Sequence, residues 1–153
     1  LMARLDRKLG PERQFWTDGW DGYPMARKRL LSSIHSSKIQ NPVVIGGDVH
    51  LHWVADLKPD FDDPKSPVVA SEFCGTSISS QGPSQKMVDA LRRENPHMKY
   101  GRSDRRGYVR MSVGGGRLHA DLMGLETVKR PESRLEVLAR FVVDDGKPGP
   151  QRA

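Results

Sequence analysis

The sequence contains a single cysteine, Cys74, and few aromatic residues, which make up 7% of its 153 positions. A single cysteine excludes an intramolecular disulfide. We expect Cys74 to be a core residue, with metal ligation as the alternative. No apolar run approaches the ~20 residues that a membrane span needs. The opening residues, LMARLDRKLG, carry charges where a signal peptide needs an apolar stretch, so no targeting signal is recognised in this chain.

Hydrophobic residues are also scarce, at 36% of the chain, and the mean hydropathy is -0.62. This composition is polar for a self-contained domain and fits part of a larger one better. The net charge of +6 suits a polyanionic partner or a phosphate-bearing substrate, although a soluble basic surface is the alternative. The basic residues are spread along the chain, so we expect neither specific nucleic acid binding nor membrane association.

Hydrophobic patterning predicts an α/β fold. Pro24 suits the first turn of a helix over residues 25–39, and the β-branched run Val43–Ile45 follows it as a buried strand. The first 15 residues indicate the tail of a helix that Gly10-Pro11 ends, and the last ten residues indicate a frayed end. Further strands are predicted at 54–57, 68–73, 108–113, 118–125 and 135–143, and a second helix at 85–93.

The segment GGDVHLHW, residues 46–53, carries the strongest chemical signal. If the backbone stays extended there, Asp48, His50 and His52 leave the chain on the same face, because strand side chains alternate. A carboxylate and two imidazoles would then converge at the end of a buried strand. Such mixed oxygen and nitrogen donors suit a divalent or trivalent metal. The alternative is an Asx turn beside a solvated histidine.

Three further residues are candidates with open alternatives. His52 could be a third ligand, a substrate-facing proton donor or a polar residue without a function, and we favour a role in support of the catalytic groups. His97 follows Pro96 and could bind phosphate or protonate a leaving group, although a histidine in this position is commonly structural. Arg105 belongs to a basic cluster beside His97, and guanidinium groups bind phosphate in a bidentate manner. Such clusters are also found fully solvated.

Taken together, seven collinear segments resemble the C-terminal part of the alkaline phosphatase D (PhoD-like) metallophosphatases. They are WDGYP (20–24), the helix ending RLL, NPVVIGGDVHLHWVADL (41–57), VVASEFCGTSISS (68–80), NPHMKY (95–100), RRGYVRMSV (105–113) and LARFVVDDGKPG (138–149). Their order and spacing make the resemblance more specific than the GDVH motif alone.

The resemblance implies the C-terminal half of a two-sheet αββα sandwich, with mixed sheets flanked by helices. It implies metal-dependent hydrolysis of phosphate monoesters and diesters, with iron and calcium as the metals of the family's site. Asp48 and His50 correspond to metal ligands of the family motif. Tyr23 and His97 match segments near the active site, and we take Tyr23 as a candidate substrate-binding residue.

The other ligands of the family lie upstream and are missing from this chain. We therefore expect residues 1–14 to be internal to a longer chain, residues 15–149 to form the C-terminal part of the phosphatase domain, and 150–153 to be a tail. The missing N-terminal half and a phosphate ester are the expected partners. A full-length member would be periplasmic or secreted, by resemblance. The alternative function is a non-catalytic truncated remnant or a basic binding module.

Overall fold

The computed structural model of the protein describes residues 1–8 and 12–153, and it alternates strands with two α-helices in the predicted manner. A single 3-10 turn at Trp20–Gly22 precedes the first helix. The helices are α1 (Pro24–Ser36) and α2 (Gln85–Glu94). The strands are β1 (Asp6–Lys8), β2 (Arg13–Phe15), β3 (Val43–Gly46), β4 (His52–Leu57), β5 (Ala70–Cys74), β6 (Met98–Arg102), β7 (Arg106–Gly114), β8 (Arg117–Leu125), β9 (Leu135–Asp144) and β10 (Gln151–Arg152).

Two four-stranded sheets face each other. The first has the order β3-β5-β4-β6 and is mixed, since β3 runs parallel to β5 and the other pairs are antiparallel. The second has the order β10-β9-β8-β7 and is antiparallel throughout. Apolar side chains from both sheets meet between them, with Phe141 stacked edge-on against Phe73 and Tyr100. This arrangement confirms the predicted two-sheet α/β class.

The helices cover the opposite face of the first sheet. Leu31 of α1 and Val88 of α2 are fully buried there, in a second core that also holds Trp53 and Leu57 of β4. Both helices begin as the sequence predicts: Pro24 occupies the first turn of α1, and Ser84 caps α2 through its side chain. Neither described helix has the length and hydropathy that a membrane span requires.

The two ends of the chain differ from the expectations. Residues 6–8 form a strand instead of a helix tail, because they pair antiparallel with β2 in a small two-stranded sheet. Asp6 also exchanges hydrogen bonds with the buried side chain of Asn95. The predicted stop at Gly10-Pro11 lies outside the described residues. The expected frayed C-terminus is wrong as well, since Gln151 and Arg152 pair with β9.

Strand β3 is less covered than its sequence predicts. Its apolar run suggested a buried strand, yet β3 is the edge of its sheet and Ile45 is 70% exposed. By contrast, β4 and β5 are buried at every position. The hairpin predicted around the three glycines is confirmed: β7 and β8 pair around Gly115 and Gly116, both of which have the positive φ that favours glycine.

The core between the sheets predicts where shortening a side chain destabilises the fold most. Leu122 is fully buried on β8, so Leu122→Ala should lower the free energy of unfolding by about 2–5 kcal/mol. Val113 on the neighbouring strand is 81% exposed, and Val113→Ala should change that free energy by less than about 0.5 kcal/mol. Chemical denaturation of both variants measures the difference, and equal losses would contradict this core assignment.

Candidate functional site

The loop after β3 has an unusual backbone. Asp48 has a φ of 72° and His50 a φ of 54°, in the left-handed region that residues other than glycine rarely adopt. The expectation of an extended backbone, with three side chains on one face, is therefore wrong. Between them Val49 turns inward and is buried, while Asp48 is exposed. Backbone outliers of this kind cluster at functional sites, where surrounding contacts hold them in place.

His50 has a defined hydrogen bond. Its Nδ1 lies 2.9 Å from the carbonyl oxygen of Gln81, in the loop between β5 and α2. A carbonyl only accepts, so Nδ1 carries the proton and donates it. In the neutral ring, Nε2 then keeps its lone pair and can serve as a metal ligand. Histidine ligands commonly have this arrangement, with the other ring nitrogen bonded to a carbonyl or a carboxylate.

His52 lies between the two sheets and not with Asp48 and His50. Its side chain is fully buried, and Nε2 donates to the carbonyl oxygen of Met123 on β8, at 3.0 Å. The β8–β9 pairing shifts register between Leu122 and Met123, so the acceptor sits at a bulge. Burial lowers the pKa of His52, so the ring is neutral at pH 7. Its catalytic role stays a prediction, and its observed contact joins the sheets.

His97 occupies the opposite end of the first sheet. Strand β6 separates it from Arg102, the residue that pairs with His52, by about 15 Å at the usual rise per residue. Its Nε2 donates to the carbonyl oxygen of Arg4 at 2.6 Å, and its ring meets that of Phe61 edge-on at 4.7 Å. The structure therefore does not bring His97 together with Asp48 or His50. Its catalytic role stays a prediction, while its contacts are those of a packed histidine.

The two candidate substrate-binding residues are also separate from the 48–50 loop in their contacts. Tyr23 is 69% exposed and lines a surface pocket with residues 17–20 and Ala26. Arg105 donates from Nη1 to the carbonyl oxygen of Glu126 at 2.6 Å and lies 3.7 Å from the carboxylate of Asp104. Both assignments stay predictions.

Cys74 is a core residue, as expected from the sequence. It is buried at the end of β5, and its thiol donates to the carbonyl oxygen of Gly47 at 3.3 Å. Burial raises its pKa to about 12, which disfavours the thiolate form that a metal binds.

Sequence reasoning missed the buried position of Arg106, which belongs with Arg102 and Arg105 to the basic cluster that was expected either to bind phosphate or to be solvated. The side chain is only 8% exposed, and its guanidinium donates to Ser77 Oγ at 2.9 Å and to the carbonyl oxygens of Ser80 and Ser103. Ser77 and Ser80 belong to the same loop as Gln81, the partner of His50. The signal in the sequence was weak. Arg106 begins a strand whose side chains alternate between two faces, and the pattern does not show which face points inward.

Within residues 1–8 and 12–153, no three histidine, cysteine or acidic side chains are grouped as metal ligands. Asp48 and His50 nevertheless offer suitable donors, an exposed carboxylate and a ring nitrogen with a fixed tautomer. Their role as metal ligands stays a prediction.

The chain matches the family described as PhoD-like phosphatase over residues 1–122. The chain belongs to the PhoD-like phosphatase family. It is 37% identical over 135 residues to alkaline phosphatase D of Bacillus subtilis (strain 168). That alignment covers 86% of this chain but only 23% of the relative. A solved structure titled "Structure of PhoD" superposes with a TM-score of 0.86 at 30% identity, covering 100% of this chain and 30% of the solved one.

These matches confirm the resemblance seen in the sequence. They also show that the chain spans about a quarter of the curated relative and less than a third of the solved structure. The PhoD-like phosphatase fold is therefore represented here by one of its segments, and the segment carries the loop with Asp48 and His50.

Burial of two histidines predicts a pH dependence of stability. Burial lowers the pKa of both His52 and His97 below the ordinary value of 6.5. Between the lowered value and 6.5, the unfolded chain binds more protons than the folded chain. Their contribution should therefore be fully present above pH 6.5 and should decline as the pH falls below it.

The variant His97→Gln tests this assignment, since glutamine can still donate to the carbonyl of Arg4 but does not titrate. It should reduce the stability slope below pH 6.5, because one of the two histidines with lowered pKa values is removed. Chemical denaturation of both proteins on each side of pH 6.5 gives the slopes. An unchanged slope would show that His97 has an ordinary pKa in the folded chain.

Proposed function

We propose that this chain supplies one side of the metal site of a phosphate ester hydrolase, with Asp48 and His50 as metal ligands. The observation that carries the proposal is the geometry of the 48–50 loop. A left-handed backbone presents an exposed carboxylate next to a histidine whose Nδ1–H is already bonded to a carbonyl. Membership of the PhoD-like phosphatase family supports hydrolysis of phosphate monoesters or diesters as the reaction.

The donor set favours the metals that the family resemblance suggests. A carboxylate oxygen suits calcium and iron, and an imidazole nitrogen suits iron. When bound, such metals would polarise phosphoryl oxygens and lower the pKa of a coordinated water. For this chain, the task is to hold two ligand atoms in place: Asp48 supplies negative charge at the surface, and the hydrogen bond to Gln81 orients the ring of His50.

Asp48 and His50 need further ligands, because a catalytic metal takes about three protein ligands or more. We propose that the N-terminal part of the enzyme supplies them.

Next to the 48–50 loop, residues 46 and 47 line an apolar cleft of ≈ 450 Å³ between the two sheets' edges. Ile45 and Ile78 on its walls are 70% and 71% exposed, and β3 beside it is an edge strand.

The relatives extend far beyond the matched region, so a covering segment of the same protein is available in this family. A periplasmic or secreted location, suggested by the resemblance, remains a proposal for the whole protein.

Removing one ligand charge should test the metal site in the enzyme that contains these residues. Asp48→Asn should lose most of the bound metal and most of the activity on an aryl phosphodiester, since an amide oxygen is a weaker ligand than a carboxylate. Metal analysis and steady-state kinetics measure both effects. Asp63→Asn is a matched control, because Asp63 lies in the loop at the other end of β4 and bonds only locally to Lys65. Wild-type metal content in Asp48→Asn would refute the assignment.

Residues 1–153 alone should be inactive or nearly so. Two ligands do not hold a metal against water and chelators as a complete site does. The purified chain can be assayed on an aryl phosphate and an aryl phosphodiester with iron, calcium, manganese or zinc. Turnover on the order of 1 per second or more would show that these residues complete the site by themselves.

A further inference from the structure

The loop that contacts His50 is held by a buried arginine. Residues 77–83 run between β5 and α2, and Arg106 reaches them from the start of β7. Its Nη1 donates to Ser77 Oγ and to the Ser80 carbonyl, and its Nη2 donates to the Ser103 carbonyl. The guanidinium therefore ties residues 77–80 to the segment that leads into β7.

Arg106 forms no ion pair with a carboxylate within the described part of the chain. Burial lowers its pKa, as expected for a charge removed from water. A buried guanidinium that makes no direct ion pair is costly to retain, and Asp104 acts on Arg106 only through longer-range electrostatics. The hydrogen bonds of Arg106 go to a hydroxyl and to backbone carbonyls. An apolar residue could fill the same position without this cost, so the contact with the loop is the feature that distinguishes arginine there.

The loop continues directly from Arg106 to His50. Gln81 follows Ser80, and its carbonyl accepts the hydrogen bond from His50 Nδ1 at 2.9 Å. At the next position, a Cβ on Gly82 would collide with the carbonyl oxygen of His50, so only glycine allows this approach. The loop thus meets His50 at both its ring and its backbone.

We propose that Arg106 is a positioning residue for His50. By fixing residues 77–82, it holds the Gln81 carbonyl where it accepts the Nδ1 proton, and this selects the tautomer that leaves Nε2 free as a ligand atom. The tautomer selection follows from the contacts of this chain alone. Its consequence for metal binding rests on the proposed function of His50.

The test compares Arg106→Met with Arg106→Lys in the enzyme that contains residues 1–153. Loss of the contacts should lower metal affinity by roughly 10- to 100-fold in Arg106→Met, as is typical when the partner of a ligating histidine is disturbed. Lysine keeps the charge but lacks the planar fork, so Arg106→Lys should show a smaller loss in the same direction. Arg110→Met is the matched control, since Arg110 lies on the same strand and pairs at the surface with Asp121.

Two readouts are needed: metal affinity by competition with a chelator, and the His50 tautomer by ¹⁵N NMR of the metal-free, histidine-labelled protein. The proposal expects the Nδ1–H form in the wild type and in Arg110→Met, and a mixture with the Nε2–H form in Arg106→Met. Wild-type tautomer and wild-type affinity in both Arg106 variants would overturn it, and so would a tautomer change without a loss of affinity. If Arg106→Met does not fold, Arg106→Lys decides by the same criteria.

The variant His50→Ala separates this proposal from the assignment of His50 as a ligand. If His50→Ala binds metal as well as the wild type, the proposed function of His50 is wrong, and with it the effect of Arg106 on metal binding. If His50→Ala loses metal while both Arg106 variants bind it normally, His50 is a ligand and only the positioning role of Arg106 is refuted.

Discussion

Burial of β4 and β5 on both faces is the constraint on which the rest of the structure depends. Their side chains alternate between two cores, one shared with the helices and one shared with the second sheet. Trp53 and Val54 illustrate this, since adjacent residues of one strand are each at most 1% exposed on opposite faces. Both helices and the second sheet pack against these two strands, so the strands also set the positions of the loops at their ends.

The same burial explains the polar groups that appear inside the protein. Glu72 on β5 is 2% exposed, and its carboxylate accepts the backbone N–H groups of Met2 and Ala3 at 2.5 and 3.1 Å. Burial raises the pKa of Glu72, and these backbone donors oppose that rise. The N-terminal segment is thus bound to the central strand β5 through this side chain. The hydrogen bond from His97 to the carbonyl oxygen of Arg4 attaches the same N-terminal segment at a second point.

At the other end of the strands, the candidate site combines backbone strain with support from a second loop. Left-handed residues are unfavourable and persist only where neighbouring contacts hold them. Here the contacts come from Gln81 and Gly82 against His50, and from Arg106 against the loop itself. The site is thus assembled from three segments far apart in the chain. The exposed edge strand β3 adjoins it.

The sequence by itself determined the regular elements and the region of the site. Alternating and helical apolar patterns are local properties, so β3, β4, β5, β7, β8, β9, both helices and the glycine hairpin could be predicted within a few residues. The short strands β1, β2 and β10 near the chain ends were missed, because they depend on pairing and not on a local apolar pattern. The motif at 46–53 makes Asp48 and His50 candidate ligands for the same reason. Only the tertiary structure decided that His52 joins the sheets, that His97 packs against Arg4, and that Arg106 is buried. Those outcomes depend on long-range contacts, and a polar residue's type does not reveal whether a distant backbone carbonyl will meet it.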